Sequence, residues 1–305
     1  MNPFDDLVLL RAFLRIVESG SISAAARTSK TPQPTLSRHL RTLEERAGER
    51  LLHRDTHRMR LTEAGQRLAE SARAILGLAD DATQRLHGDH AALRGHLRVC
   101  ATIDLGQTAV TRVVARFLQQ NPGLTAELGY SNRPVQMIEE GYDVGVVAGQ
   151  ITDERVVARL VGTISRYLVA SPELLRGRRP PKDPGDVEAW PWAALSGRQF
   201  GGGTHTTLVA AKQAARTFAI APVLIAEGVT SLRQAVLAGL AIAVLPDWLV
   251  RADVASGQLV RVLPRWSAQD LPLHVIYFAQ RNLPLRVRAF IEAAAATMTT
   301  EMNGG

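Results

Sequence analysis

Two prolines one residue apart open the stretch that most constrains this chain, residues 31–54, which reads TPQPTLSRHLRTLEERAGERLLHR. Proline lacks a backbone N–H and is tolerated in the first turn of a helix, where that group has no partner within the helix. We therefore expect Thr31 to be the N-cap, Pro32 to be the first helical residue and Pro34 to lie in the first turn. The two prolines predict that a helix begins here.

Apolar and polar residues separate onto opposite faces of this predicted helix. The apolar stripe, whose members lie within about 60° of one another at 100° per residue, contains Leu36, Leu40, Leu43 and Ala47. The outward face carries side chains that can hydrogen-bond base edges or phosphates in a major groove, namely Gln33, Ser37, Arg38, Arg41 and Thr42. Taken alone, the stretch would more commonly be an ordinary amphipathic helix with a solvated polar side.

The neighbouring segments favour DNA binding over that simpler explanation. A first helix is predicted from Leu7 to its C-terminal Gly20, and a second, short helix with three alanines follows an N-cap at Ser21 or Ser23. Between residues 27 and 60 the chain carries nine Lys or Arg against four acids, so most of its formal net charge of +7 lies there. Such a local surplus is typical of a surface that faces nucleic acid.

A small β-hairpin is predicted after the basic helix. Apolar Leu51 and Leu52 are followed by a polar tip at 55–57 and then by Met59 and Leu61. This is the pattern of a wing, and basic side chains on either side of its tip, those of Arg54 and Arg58, could reach phosphates.

These residues resemble the N-terminal domain of LysR-type transcriptional regulators. The resemblance rests on SGSISAAARTSKTPQPTLSRHLRTLEERAGERLLHR at 19–54 and RLTEAG at 60–65. It implies an all-α winged helix-turn-helix domain over residues 1–61 that binds double-stranded DNA, with Thr31 taking the role of a serine that the family often has at position 32. Together, the helix pattern and the resemblance predict these DNA-binding residues: Thr31, Gln33, Pro34, Ser37, Arg38, Arg41, Arg54 and Arg58.

A long helix is predicted over residues 62–88, with Thr62 as its N-cap. Its apolar stripe comprises Ala64, Leu68, Ala72, Ile75, Leu76, Ala79 and Leu86. At 1.5 Å per residue the helix spans about 39 Å, which is too long for so small a domain to bury the stripe. A helix of a second chain would bury it, and the resemblance implies a homodimer or homotetramer formed through this linker helix. The alternative is packing against the chain's own C-terminal domain.

A hinge is predicted at 89–94, between the long helix and the rest of the chain. His87, His90 and His96 lie in and around it, but two glycines and the lack of a cysteine or second carboxylate make a metal site the weaker interpretation. We predict no metal and no cofactor. Cys100 is the only cysteine, so the chain can form no internal disulfide, and its position in a predicted strand favours a buried thiol over a redox sensor.

Strands and helices alternate over the remaining two hundred residues, which predicts an open α/β sheet. The segments ELGYSNRPVQMIEEGYDVGVVAG, LVASPELL and LAGLAIAVLP resemble the family's effector domain, which is similar to periplasmic binding proteins. The resemblance implies an effector-binding domain over 95–300 with two subdomains, one formed by 95–162 plus 268–300 and the other by 163–267. A small-molecule effector would lie between them. The proline-rich segment 180–192 is predicted to be a loop.

The effector site is predicted from the rule that ligands of open α/β sheets gather at strand C-terminal ends and helix N-termini. The residues at such positions are Thr102, Ile103, Asp104, Phe200, Thr204, His205, Thr230 and Ser231. Hydroxyls there would suit a small carboxylate, which is a common effector type in the family. Asp104 opposes an anion, so a phenolic or amine-bearing ligand stays open.

Two other functions have some support in the sequence. An enzyme, for example one pairing Ser196 with His205, is disfavoured because FGGGTHTT at 200–207 lacks the spacing and lysine of a phosphate-binding loop and no G-x-S-x-G is present. A DNA-binding protein whose C-terminal domain only oligomerises is the other alternative, and a cleft filled by its own side chains would favour it. The longest apolar run, Ala235 to Leu245, is too short to span a membrane, and the acidic start lacks the shape of a secretory signal. We therefore expect a cytoplasmic, sequence-specific transcriptional regulator without a membrane partner.

Overall fold

The fold is described from a computed structural model, which describes residues 2–54, 59–86, 93–132, 140–197, 203–211, 214–279 and 283–303, without the side chains of residues 54, 59, 81, 84–86 and 301–303. The chain divides into two compact units. One comprises residues 1–95 with 284–286, and the other residues 96–283 with 287–305. Each unit is described by itself.

The N-terminal unit is a helical domain with a small hairpin. Its elements are α1 (Leu7–Ser19), α2 (Ile22–Ser29), α3 (Gln33–Ala47), β1 (Leu52–Arg54), β2 (Met59–Leu61) and α4 (Glu63–Leu86), after a 3-10 turn at Pro3–Asp5. Local chemistry sets the helix ends: Ser21 accepts a hydrogen bond from the N–H of Ala24, and Gly20 adopts a left-handed φ of 69°. Thr62 accepts one from the N–H of Gly65 at 2.9 Å, as the predicted N-cap should.

One core joins the helices of this unit. Buried leucines of α3 meet buried residues of α1, and Ala25 of α2 is buried in the same cluster, which contains Leu10, Phe13, Ile16, Leu36, Leu40 and Leu43. The hairpin closes onto the start of α4, where a Cβ on Gly65 would lie only 2.0 Å from the carbonyl oxygen of Leu51. Only glycine allows this close approach. The predicted inward stripe of α3 is confirmed, because Leu36, Leu40 and Leu43 are buried in this core and Ala47 packs against it.

The predicted N-cap of α3 is wrong by one residue. Pro32, with φ −55° and ψ 135°, occupies the N-cap, and the helix begins at Gln33. The Thr31 hydroxyl donates to the carbonyl of Ser29 at 3.3 Å and caps nothing. Because Pro32 already has its φ fixed and its carbonyl accepts from the N–H of Leu36, the chain enters the helix without a side-chain cap. Pro34 lies in the first turn, as predicted.

The expectation that α4 cannot bury its stripe within its own domain is wrong for most of its length. Ala64, Leu68, Ala72 and Leu76 are buried in the core that α1 and α3 also form. The reason is that α1 contacts α4, with Arg11 and Asp80 joined by an ion pair. Exposed apolar side chains remain on these two helices, with Val8 60% and Leu78 54% exposed.

The C-terminal unit combines a large mixed sheet with helices. Its strands are β3 (Gly95–Ala101), β4 (Leu124–Tyr130), β5 (Val144–Ala148), β6 (Val156–Ala170), β7 (Trp192–Leu195), β8 (His205–Val209), β9 (Arg216–Ala219), β10 (Pro222–Ala226), β11 (Ala243–Pro246), β12 (Val260–Arg261) and β13 (Ser267–Phe278). Its helices are α5 (Ile103–Leu105), which continues through a π turn at Gly106–Val110 into α6 (Thr111–Gln120), then α7 (Pro172–Leu175), α8 (Val229–Leu237), α9 (Asp247–Ala255) and α10 (Leu285–Asn303). A 3-10 turn lies at Pro184–Val187.

Two long strands run through the whole unit. Among the described residues, the main sheet has the strand order β11-β6-β13-β5-β3-β4, and β6 and β13 are antiparallel from the Phe278–Val156 pair to the Ala268–Arg166 pair. At one end β13 also pairs with β5, and at the other β6 pairs with β11. We call β3 to β5, α6 and α10 the first lobe, and β7 to β12 with α7 to α9 the second lobe.

Each lobe has its own apolar packing. In the first lobe Phe117 of α6 and Phe290 of α10 meet edge to face with ring centroids 5.3 Å apart. In the second lobe two buried clusters flank the sheet, one around Trp192 and the other around Val236. The predicted subdomain boundaries fall inside β6 and near the start of β13, and they stay predictions.

Candidate functional site

The outward face of α3 is the first candidate surface. Gln33, Pro34, Arg38 and Arg41 are exposed there and Ser37 is half-buried, whereas the leucine stripe of the same helix is buried. The amphipathic spacing of the sequence thus brings these five predicted DNA-binding residues onto one accessible side of one helix. Thr31 is half-buried and precedes the helix.

The polar residues of this face differ in how they are engaged. The guanidinium of Arg41 pairs with Glu45 one turn later, with 3.1 Å between Nε and Oε1. The Gln33 side chain accepts a hydrogen bond from the Ser23 hydroxyl of α2 at 3.3 Å. Arg38, in contrast, has no ion pair with any of the described residues. Of the two arginines on this face, Arg38 therefore has the charge that is more available to an approaching anion.

Further basic residues of the N-terminal unit are exposed to solvent. Arg27 and Lys30 at the end of α2, Arg50 before the hairpin and Arg60 on β2 are all exposed. The hairpin is held to α3 because the carboxylate of Glu44 accepts a hydrogen bond from the N–H of Leu51 at 3.0 Å. The strands pair antiparallel, as predicted for a wing, from Leu52–Leu61 to Arg54–Met59. The side chain of Arg54 and the whole of Arg58 lie outside the described residues.

A cavity of about 790 Å³ in the C-terminal unit is the second candidate site. Its walls come from both lobes and from the long strands, and the predicted residues Thr102, Ile103 and Asp104 are among them. The other lining residues include Ser131, Asn132, Ile164, Arg166, Leu195, Ser196, Glu227, Val229, Val244, Pro246, Trp248 and Leu271. A volume of this size, lined by both apolar and polar side chains, is typical of a small-molecule site.

Asp104 crosses the cavity to the N-terminus of α8. Its carboxylate accepts hydrogen bonds from the N–H of Val229 at 2.9 Å and from the N–H of Thr230 at 3.0 Å. The N-cap residue, Gly228, offers no side-chain acceptor, so a carboxylate from 125 residues away supplies the cap. Asp104 lies on α5, directly after β3 of the first lobe, and α8 belongs to the second lobe, so these bonds join the two walls of the cavity.

Asn132 reinforces the same contact. Its amide nitrogen donates to the carbonyl of Glu227 at 2.8 Å, and its amide oxygen accepts from the N–H of Ile103 at 3.3 Å. The residue before Asp104 and the residue before the helix cap are therefore held by one side chain. Asn132 was not among the predicted site residues, although it follows β4 and a strand end was a signal that could have found it.

Arg166 and Trp248 are further wall residues that sequence reasoning missed. Arg166 lies within β6, donates through Nε to the carbonyl of Gln269 at 3.1 Å, and has its pKa lowered to about 10 because burial disfavours the charged form. No sequence signal identified it, because a strand interior is not where ligands of open sheets gather. Trp248 follows the end of β11 and could have been found from that position.

Of the other predicted effector residues, Thr230 contacts the first three through its backbone, because its N–H donates to Asp104 at 3.0 Å. His205 begins β8 and lines a second, smaller cavity of about 340 Å³, which shares Arg166, Leu195 and Val244 with the larger one. Thr204, Thr230 and Ser231 are exposed and do not line the larger cavity. Phe200 lies outside the described residues. Ser196 lines the larger cavity and His205 lines the smaller one. Neither cavity therefore contains both members of the disfavoured catalytic pair.

The surroundings of His96 and Cys100 in this unit indicate structural roles for both side chains. The ring Nδ1 of His96 lies 2.8 Å from the hydroxyl of Thr125, while His87 and His90 fall outside the described residues. No group of three potential metal ligands occurs among the described side chains. Cys100 is 3% exposed, and burial raises the pKa of its thiol to about 11, which suppresses the reactive thiolate.

Two known protein families match this chain along consecutive segments. The bacterial regulatory helix-turn-helix protein, lysR family, matches residues 7–66, and the LysR substrate binding domain matches residues 90–299. The chain belongs to the LysR family. It is a LysR-type transcriptional regulator with a helix-turn-helix domain and a substrate-binding domain, and its relatives bear the names of transcriptional regulators.

Relatives and solved structures of the LysR family resemble nearly the whole chain. The transcriptional regulator PtxR of Pseudomonas aeruginosa is 31% identical over 285 residues, covering 93% of this chain and 90% of PtxR. The structure of CrgA from Neisseria meningitidis is 27% identical with a TM-score of 0.57, covering 94% of this chain and 97% of CrgA. The full-length virulence activator AphB of Vibrio cholerae, 24% identical with a TM-score of 0.58 and covering 95% and 99%, shows the same fold. No described helix of this LysR-family chain is long and apolar enough to cross a membrane.

Proposed function

We propose that this protein is a sequence-specific DNA-binding regulator controlled by a small-molecule effector that binds between the two lobes of its C-terminal unit. The proposal extends the family assignment to particular residues. It places operator recognition on α3 and effector recognition in the 790 Å³ cavity.

The exposed face of α3 is the observation that carries the DNA-binding half of the proposal. Gln33, Ser37 and Arg38 lie on the N-terminal half of the helix, which is the part that helix-turn-helix proteins present to base edges. We assign base reading to these three. Arg41, held by Glu45, and the wing residues Arg54 and Arg58 are assigned to the phosphate backbone. Thr31 and Pro34 are proposed as further DNA contacts at the start of the helix.

The open cavity supports the effector half of the proposal over a C-terminal domain that only oligomerises. A domain without a ligand would fill its cleft with its own side chains, whereas about 790 Å³ remains unfilled here. Thr102, Ile103 and Asp104 are proposed to contact the effector, together with Asn132 and Arg166. Thr204, His205, Thr230, Ser231 and Phe200 are proposed only as neighbouring positions that a larger ligand could reach.

A homo-oligomer, either a dimer or a tetramer, is proposed because paired reading heads match the two-fold symmetry of operator sites. Val8 and Leu78 stay exposed on α1 and α4 although both helices belong to one core, and a second copy of the chain would bury them. The protein is further proposed to act in the cytoplasm, without catalytic activity and without a cofactor.

Footprinting tests DNA recognition and effector control in one experiment. The full-length protein is titrated onto the DNA upstream of its own gene, with a scrambled duplex of equal length as the control. We expect one protected site that the scrambled duplex lacks, and a change in the extent of protection when the right metabolite from a small-molecule panel is added. Equal protection of both duplexes would contradict DNA recognition. Protection that no metabolite alters would leave the oligomerising alternative as the better description.

A further inference from the structure

The contact between Asp104 and α8 bears on which effector the cavity accepts. The first N–H groups of a helix carry partial positive charge and attract anions, so a ligand carboxylate would be expected to bind there. In this chain the N–H groups of Val229 and Thr230 already donate to Asp104, at 2.9 and 3.0 Å. The chain's own carboxylate occupies the position that an anionic ligand would otherwise take.

The packing around this contact is close. A Cβ on Gly228 would lie 3.1 and 3.2 Å from the two carboxylate oxygens of Asp104, so glycine is what leaves room for the acid. Asn132 holds both sides, binding the N–H of Ile103 and the carbonyl of Glu227. The Asp104 contact is thus part of the cavity wall.

The charges of the cavity wall also disfavour an anion near α8. Among the residues that the structure describes, three ionisable side chains line the cavity: Asp104, Glu227 and Arg166. Glu227 directly precedes Gly228, so both acids lie beside the α8 N-terminus. Arg166 lies on β6 and donates to the carbonyl of Gln269. A ligand carboxylate next to the two acids would be repelled, whereas a hydrogen-bond donor would find unused acceptor positions on their oxygens.

We propose that Asp104 is a specificity-determining residue that closes the α8 end of the cavity to carboxylates and selects ligands that present a hydrogen-bond donor there. The ligand class is an apolar ring bearing a hydroxyl or an ammonium group. The ring is accommodated by Trp248, Ile164, Val244 and Leu271, which line the same cavity. This inference rests on the proposed function of the cavity as the effector site.

Three probes that share one ring test the inference: benzyl alcohol, benzylamine and benzoate. Each is titrated into the full-length protein by isothermal titration calorimetry. We expect benzyl alcohol, benzylamine or both to bind at least about tenfold more tightly than benzoate. Binding of both would show that a hydroxyl is enough, and binding of benzylamine alone would identify the ammonium as the recognised group. Benzoate binding as tightly as the better donor would overturn the inference, and so would the failure of all three to bind at about 10 mM.

Substitutions then assign the selectivity to Asp104. Asp104→Asn removes the charge and keeps the side-chain size, and Asp104→Ala removes the whole carboxylate. We expect either variant to reduce the preference for the donor probe over benzoate by about tenfold. The matched control is Glu154→Gln, an exposed acid outside the cavity lining, which should leave the preference unchanged.

An unchanged preference in both Asp104 variants would overturn the role of that residue. Thermal melting followed by circular dichroism verifies that each variant is folded. The preference of the wild-type protein for a donor probe over benzoate is measured without any substitution, so it tests the ligand class even if a variant fails to fold. Titration of the same proteins with promoter DNA separates this inference from the proposed function. If the promoter is not preferred over scrambled duplex, the proposed regulator function fails, whatever the probes show.

Discussion

The two proposed recognition surfaces of this protein are built in opposite ways. The proposed DNA-binding face lies on one helix of 15 residues, where side chains three and four apart lie on the same side. The cavity takes its walls from residues as far apart as Thr102 and Leu271 and exists only because β6, β13 and α8 are folded together. Changes on α3 should therefore alter recognition without altering the fold, whereas changes around the cavity should affect recognition and stability together.

The largest expected effect is the loss of stability when a large buried side chain is removed from the core of one unit. Phe13 and Phe290 are fully buried, one in each unit, and replacing either with alanine should cost about 3–5 kcal/mol of stability. All four tryptophans, at 190, 192, 248 and 266, lie in the C-terminal unit. In urea unfolding, Phe290→Ala should therefore shift the transition seen by tryptophan fluorescence, and Phe13→Ala should shift mainly that seen by far-UV circular dichroism. Equal shifts of the fluorescence transition in both variants would show that the cores are not separate.

Arg38→Ala should produce the next largest effect, on DNA binding alone. The side chain is exposed and has no ion pair among the described residues, so its removal should leave stability unchanged. If Arg38 reads a base, preference for the operator over a site with that base changed should fall by about 1–3 kcal/mol, measured by fluorescence anisotropy. The control Arg265→Ala removes the same charge from an exposed position of the C-terminal unit and should change nothing. If Arg38→Ala loses stability but keeps its full preference for the operator, Arg38 stabilises the fold and does not read a base.

Asp104→Ala should have a smaller effect that appears in stability as well as in recognition. The variant leaves the N–H groups of Val229 and Thr230 without their acceptor, and the loss of a helix cap costs about 1 kcal/mol. Tryptophan fluorescence during urea unfolding should detect it, with Glu154→Ala as the exposed control. A variant as stable as the wild type would mean that the bonds across the cavity contribute nothing to holding it together.

Arg41→Ala should have the smallest effect. Its guanidinium already pairs with Glu45, so we expect it to contribute only to the phosphate backbone. Binding should weaken alike for every DNA sequence, and the slope of log affinity against log salt should fall by about 0.9. Titrations at several salt concentrations measure this. A selective loss at one base pair, as expected for Arg38, would place Arg41 among the base-reading residues instead.

The same contrast explains what could be predicted from the sequence. The helices of the N-terminal unit, the leucine stripe of α3 and the hairpin follow from local spacing and turn residues, and these predictions are confirmed by the fold. The N-cap of α3 was predicted at Thr31 and lies at Pro32. This one-residue error is also local, because it concerns only which of two adjacent residues begins the helix. The burial of the α4 stripe was missed because it depends on α1, which lies some sixty residues earlier.

The cavity was only partly predictable because its members are distant in sequence. Thr102 to Asp104 were found from the strand-end rule, but Arg166 lies inside β6 and becomes a wall residue only through the pairing of long strands. The proline-rich segment 180–192 is predicted to be a loop, and it is irregular apart from a 3-10 turn at Pro184–Val187 and its last residue, Trp192, which begins β7.

Binding of the full-length protein to the duplex upstream of its own gene, compared with a scrambled duplex at about 0.15 M salt, decides whether the α3 surface is a reading surface. The expected result is a preference for the upstream duplex of about a thousandfold or more, most of it retained in Arg265→Ala and sharply reduced in Arg38→Ala. Equal affinity for the two duplexes, or a preference that Arg38→Ala leaves intact, would contradict the assignment of DNA recognition to this helix.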